Sequence, residues 1–180
     1  MAVNRARMEA QITLHEGNCL RPYKDSLGLW TVGRGYCIQN RGVAFLESAI
    51  GRRWRGMDDQ LTEEESLKLL RADLDRLEAG IPKKLPEWNQ LDEVRQRAVL
   101  DFVFNMENRA LGFKTAIARL RLALKQTDPD LRQACWDAVA FHMVDSLWAR
   151  QVGDGLGGRI DRADRLAAMM RTGQDWQVAA

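Results

Sequence analysis

The chain has 180 residues, enough for one globular unit with a substantial core, if need be in two lobes. Hydrophobic residues make up 46% and charged ones 29%, which excludes a disordered chain, and no stretch reaches the ~18 uncharged apolar residues of a membrane span. A net charge of +2 does not by itself imply a nucleic-acid partner, although it leaves a mild attraction to anionic cell-wall polymers.

The opening residues, Met1 to Gln11, lack the apolar run of a signal peptide, so synthesis in a cytoplasm is expected. The spacing of Met8 and Ile12, with Leu14 on the flank, predicts a first helix over residues 3 to 16, stopped by Gly17 as its left-handed residue. Glu16 then lies in the last helical turn, facing the negative end of the helix dipole, which suits a proton donor. Three short strands are predicted near 20 to 24, 29 to 33 and 36 to 39, separated by turns at Asp25 to Gly28 and Gly33 to Gly35. Asp25 sits in a turn whose amides and nearby water favour an ionised group, fit to orient water, and Thr31 opens the next strand with a hydroxyl able to hold the same water. Taken singly, these are a helix-end glutamate, a turn aspartate and an ordinary strand threonine. Together, two carboxyl groups and a hydroxyl at one cleft are what single-displacement glycoside hydrolysis requires.

A helix over Val43 to Arg53 follows, with Phe45, Ala49 and Ile50 on its apolar face, and the basic run Arg52-Arg53-Trp54-Arg55 reads as a solvated helix end beside a packed Trp. Thr62-Glu63-Glu64-Glu65 is a capping box. It opens a helix carrying Leu67, Leu70, Leu74 and Leu77 that is predicted to stop at Gly80-Ile81-Pro82, long enough to tie two lobes together. After a connection over Pro82 to Asn89 the pattern is wholly helical. The most apolar helix, with Leu91, Val94, Ala98, Val99, Phe102, Val103 and Met106, is expected at the centre of the larger lobe. Gly112-Phe113 opens the next, and Asp128-Pro129 reads as an N-cap with proline at the first helical position. Trp136 and Trp148 read as buried anchors, with stacking on sugar rings as the alternative. The glycine loop Gly153 to Gly158 lacks the preceding strand of a phosphate cradle, and a last helix carries Arg159, Arg162 and Arg165 above Ile160, Leu166, Ala167 and Met170.

Cys19, Cys37 and Cys135 read as reduced thiols filling the core, a Cys19 to Cys37 bridge being the alternative. His15 and His142 come with no matching ligand set, so no metal site is expected.

The ordered pattern Glu-Gly-x5-Tyr-x-Asp-x2-Gly-x2-Thr-x-Gly-x-Gly, from Glu16 to Gly35, resembles the catalytic segment of the phage-type lysozymes, the muramidase family of the T-even phages. The resemblance is strong there and looser over the rest, where Val94 to Met106 and the Arg162 to Gly173 ending are similar to family segments. It implies an α+β, lysozyme-like fold, mostly helical. A small three-stranded antiparallel sheet would lie in an N-terminal lobe over 15–61, joined by a connecting helix over 62–81 to a helical C-terminal lobe over 82–180, on which helix 3–14 packs. It also implies that Glu16 is the general acid and that Asp25 and Thr31 position the attacking water, with inversion at the anomeric carbon. Asn105 falls where the T-even members have a Gln near the cleft, and can contact sugar or make a structural hydrogen bond. Arg162 falls where the family has an arginine facing the acid. The chain departs from the pattern at Tyr36, which replaces a His and removes one partner of a structural ion pair, and in a shorter segment after it.

The expected function is therefore an endolysin-type muramidase acting on the β-1,4 bond between N-acetylmuramic acid and N-acetylglucosamine of peptidoglycan and causing host cell lysis. No metal or organic cofactor is needed, because protonation and a positioned water suffice. The expected setting is a monomer made in the host cytoplasm, reaching the periplasmic wall through a holin-type membrane partner, without nucleic acid or membrane insertion. A lytic transglycosylase on the same bond, or a silent wall-binding or virion protein of the same fold, are the alternatives.

Overall fold

The computed structural model describes residues 3–146, 149–150 and 161–176. Its chain divides into two compact units, Arg5–Arg76 and the remainder from Leu77 onward with the first residues. In the first unit, α1 (Arg5–Glu16) buries Met8 and Ile12 completely, and the Gly17 amide donates to the Thr13 carbonyl at 2.9 Å with φ at +69°, the left-handed stop expected there. From Arg5 onward α1 belongs to the unit that holds the sheet.

β1 (Cys19–Lys24), β2 (Trp30–Gly33) and β3 (Tyr36–Cys37) form the antiparallel sheet in that order, with Tyr23 opposite Thr31 and Thr31 opposite Cys37. The third strand is shorter than the predicted 36–39. Ile38 turns into the core at the start of α2 (Ile38–Arg41), and the Gln39 side chain accepts from the Trp30 amide at 2.8 Å, taking a bond that a longer strand would have made. Cys19 and Cys37 pair with opposite edges of β2. Two strand spacings place their α-carbons roughly 10 Å apart, beyond the reach of a disulfide, and all three cysteines are free thiols.

α3 (Val43–Ile50) ends three residues before the predicted Arg53, because Gly51, with φ at +76°, takes the left-handed turn. Arg52 is not a solvated end: it binds Asp59 at 2.8 Å and Glu65 at 2.6 Å beside the buried Trp54. The capping box forms as expected, Glu65 N donating to Thr62 Oγ1 at 3.1 Å and Thr62 N to Glu65 Oε2 at 2.8 Å. α4 (Glu63–Lys84) then runs past Gly80-Ile81-Pro82, carrying Pro82 in its last turn. The missing proline donor is tolerated because Ile81 and Leu85 are both buried and pull that turn inward. Val32, Tyr36, Ile38, Leu46, Ile50, Trp54, Leu61 and Leu69 form the core of this unit. Ion pairs Glu9–Arg71 at 2.7 Å and Arg5–Asp75 at 2.7 Å tie α1 to α4.

Tyr36 stands beside a buried ion pair. Asp73, 1% exposed, meets Arg41 and also Arg76 at 2.8 Å; Tyr36 lies under the Arg41 guanidinium and donates to the Gly42 carbonyl at 2.7 Å.

In the second unit, the predicted connection holds a 3-10 helix, Pro86–Gln90, with Trp88 buried. α5 (Glu93–Met106) is capped by Asp92 and buried on nearly every side from Gln96 to Phe104, so it forms the centre of this unit. α6 (Lys114–Lys125) and α7 (Pro129–Val144) follow, the latter capped by Asp128, which accepts from the Leu131 amide at 2.9 Å. α8 (Arg162–Thr172) begins in a capping box of Asp161 with Asp164. Trp136 is a buried anchor, with the Arg95 guanidinium 4.0 Å from its ring centroid and Arg95 Nε donating to the Met170 carbonyl at 2.8 Å, so one side chain joins α5, α7 and α8. Trp148, the Gly153 to Gly158 loop, Arg159 and Ile160 lie outside the described residues.

Candidate active site

Asp25 takes its place from the turn between β1 and β2. Its amide donates to the Leu29 carbonyl at 2.9 Å, its carbonyl accepts from Gly28 at 2.9 Å, and its Oδ1 accepts from the amides of Leu27 and Leu29, each at 2.9 Å. With Oδ1 occupied by two amides, Oδ2 faces the Thr31 hydroxyl at 3.5 Å, the outer limit of a hydrogen bond. Thr31, 3% exposed on β2, also donates to the Leu29 carbonyl at 3.3 Å. Its oxygen and Asp25 Oδ2 are therefore spaced to share one water as acceptor and orienting base.

Glu16 closes α1 and is half-buried. Its carboxyl group lies over the turn between β2 and β3, where Gly35 presents a bare α-carbon at φ +76°. Tyr23, opposite Thr31 across the β1–β2 ladder, connects the two carboxyl groups electrostatically. Burial pushes its phenol up, and the negative charges of Glu16, Cys19 and Asp25 push it further in the same direction. Glu16 and Asp25 thus both raise the Tyr23 phenol; Asp25 meets Thr31 directly, while Glu16 lies past the other end of β2, over Gly35.

The other two candidates lie in the second unit. Asn105 is exposed in the last turn of α5. Arg162, the first residue of α8, is 8% exposed and bound to Asp101, itself fully buried, through Nε at 2.8 Å and Nη2 at 2.7 Å. Asp101 lies one turn before Asn105 on α5, so a buried ion pair anchors the start of α8 beside that residue.

Asp101, Arg34 and Gly35 were not among the candidates drawn from the sequence. Asp101 does carry a signal, a carboxylate inside the apolar run Ala98 to Phe104, because a charge there requires a buried partner. Gly35 carries only that of a turn glycine; what passes over it comes from another element. Among the described residues no group of His, Cys, Asp and Glu is placed to hold a metal, and no helix is long and apolar enough to cross a membrane.

Residues 13–153 match the family described as phage lysozyme. A relative from Dictyostelium discoideum, described as probable T4-type lysozyme 1, is 28% identical over 171 residues, spanning 88% of this chain and 89% of that protein.

Proposed function

The chain belongs to the phage lysozyme family, a family of glycoside hydrolases, and from that premise we propose that it is a muramidase cutting peptidoglycan with inversion. The bond is the β-1,4 link from N-acetylmuramic acid to N-acetylglucosamine. Glu16 protonates the leaving glycosidic oxygen. A water held by Asp25 Oδ2 and Thr31 Oγ1 attacks the anomeric carbon from the opposite face and gives its proton to Asp25. The cycle leaves Glu16 ionised and Asp25 protonated, and exchange with solvent restores both. In this role the protein lyses the host from within, using a holin-type membrane partner to reach the wall.

The observation that carries this reading is the placement of the two carboxyl groups about β2. Asp25 meets the strand at Thr31, near its start, while Glu16 lies over Gly35, just past its end. Set at opposite ends of one short strand, the two carboxyl groups stand apart, as an inverting glycosidase requires in order to leave room for the attacking water. The test is the mass and anomeric configuration of the products released from purified peptidoglycan. Reducing ends of inverted configuration support the proposal, while anhydro-sugar ends identify a transglycosylase, and binding without release identifies a silent wall binder.

A further inference from the structure

We propose that Arg34 is a positioning residue for the Glu16 carboxyl group, an inference that rests on the assignment of Glu16 as the acid. Arg34 is the middle residue of the Gly33-Arg34-Gly35 turn. Its guanidinium donates from Nε to Thr13 Oγ1 at 3.0 Å, from Nη1 to Ser66 Oγ at 2.8 Å and from Nη2 to Glu63 Oε2 at 3.2 Å. Ser66 Oγ donates onward to Asn18 Oδ1 at 2.7 Å, and Asn18 Nδ2 donates to Glu63 Oε2 at 2.8 Å.

This fork joins the stretches that set where Glu16 lies. Thr13 precedes it by three residues on the same face of α1, Asn18 follows it just beyond Gly17, and Gly35 is the surface beneath its carboxyl group. The three contacts differ in weight. Glu63 is 70% exposed, so its ion pair contributes little, whereas Ser66 is 1% exposed and its bond to a cation is sheltered from water. The turn also packs directly on α4, since a β-carbon on Gly33 would meet Ser66 Oγ at 2.9 Å. Between two glycines, only Arg34 offers a side chain to hold the turn, and its planar fork fixes direction as well as distance.

Without the fork, the turn beneath the Glu16 carboxyl group is held less firmly, and the carboxyl group shifts with it. A displacement of about 1 Å can lower turnover by about 10²-fold. The experiment compares Arg34→Met, Arg34→Lys, Thr13→Val and the Arg34→Met/Thr13→Val double variant on purified peptidoglycan, reading kcat, KM and the thermal midpoint. Arg34→Met is expected to lower kcat by about 10- to 100-fold with KM held within about twofold, and Arg34→Lys to recover part of that loss. Thr13→Val is expected to lower kcat less, and the double variant to be no worse than Arg34→Met, because both remove one shared interaction.

Wild-type kcat per folded molecule in Arg34→Met overturns the proposal, as does a rise in KM at unchanged kcat. Should Arg34→Met fail to fold, Thr13→Val decides: a fall in kcat at constant KM supports the role, and unchanged kcat overturns it. Glu16→Gln is assayed alongside. Turnover retained there removes the assignment of Glu16 itself, whereas an inactive Glu16→Gln beside a wild-type Arg34→Met removes the role of Arg34 alone.

Discussion

The carboxyl group of Glu16 rests against the α-carbon of Gly35: a β-carbon there would lie 2.7 Å from Oε2, 2.8 Å from Cδ and 3.0 Å from Cγ. No side chain fits that gap, and the φ of +76° is one that glycine alone adopts without strain. Gly35→Ala is therefore expected to push the acid out of place, lowering kcat by about 10²-fold and stability by about 1 kcal/mol or more. Steady-state kinetics with a thermal melt measure both, and a folded Gly35→Ala with wild-type kcat contradicts the relationship.

Asp25→Asn should keep the turn and lose the chemistry. The amide oxygen of Asn accepts from Leu27 and Leu29 as the carboxylate does, but it cannot take a proton from water. Turnover is expected to fall by about 10²- to 10⁴-fold with the melting temperature little changed. Thr31→Val, similar in shape at a buried position, should lower turnover less, because Asp25 still holds the water.

Arg162 is tied to Asp101 inside the second unit, so its loss should first be felt as stability. Arg162→Met leaves the carboxylate of Asp101 buried without its cation, and a cost of about 3–5 kcal/mol is expected in denaturant unfolding. The Asp101→Asn/Arg162→Met double variant should regain most of it. A loss below about 1 kcal/mol in the single variant shows that the pair does not anchor α8.

Stability should fall at both ends of the pH scale, for different residues. Burial first, then the Asp73 carboxylate, push the Tyr36 phenol up to about 12 against the opposing charges of Arg41 and Arg76. Because its value is raised on folding, its contribution is complete below about pH 10 and is lost as pH rises through the folded value. Asp59 runs the other way. Burial alone would raise it, but hydrogen bonds from Arg52 and from the amides of Arg55 and Gln60 prevail and hold it well below the usual carboxylate range; Glu65 is lowered by its own bond to Arg52. Their contribution is present above about pH 4 and is lost as pH falls. Tyr36→Phe should flatten the alkaline limb of the melting profile and Asp59→Asn the acidic one, and unchanged limbs contradict both assignments.

Most of the fold could be read in the sequence because its signals are local. The Thr62 and Asp128 caps and the Gly17 stop depend on a few neighbouring residues, and each forms as predicted. The misplacements arise where a distant contact overrides local preference. α4 continues through Pro82 because Ile81 and Leu85 are drawn into the core, and β3 stops early because Gln39 reaches across to Trp30. The candidate site divides in the same way. Glu16, Asp25 and Thr31 stand in an ordered motif, while the Arg34 fork joins residues up to 32 positions away, and Arg162 meets Asp101 across 61. Spacing along the chain does not encode such partners.

The most direct measurement is reducing-end release from purified peptidoglycan by Glu16→Gln beside the wild type. The account predicts that the variant folds with an unchanged melting profile, still binds the wall, and releases no reducing ends above background. Wall digestion by Glu16→Gln at the wild-type rate would show that the proton comes from elsewhere.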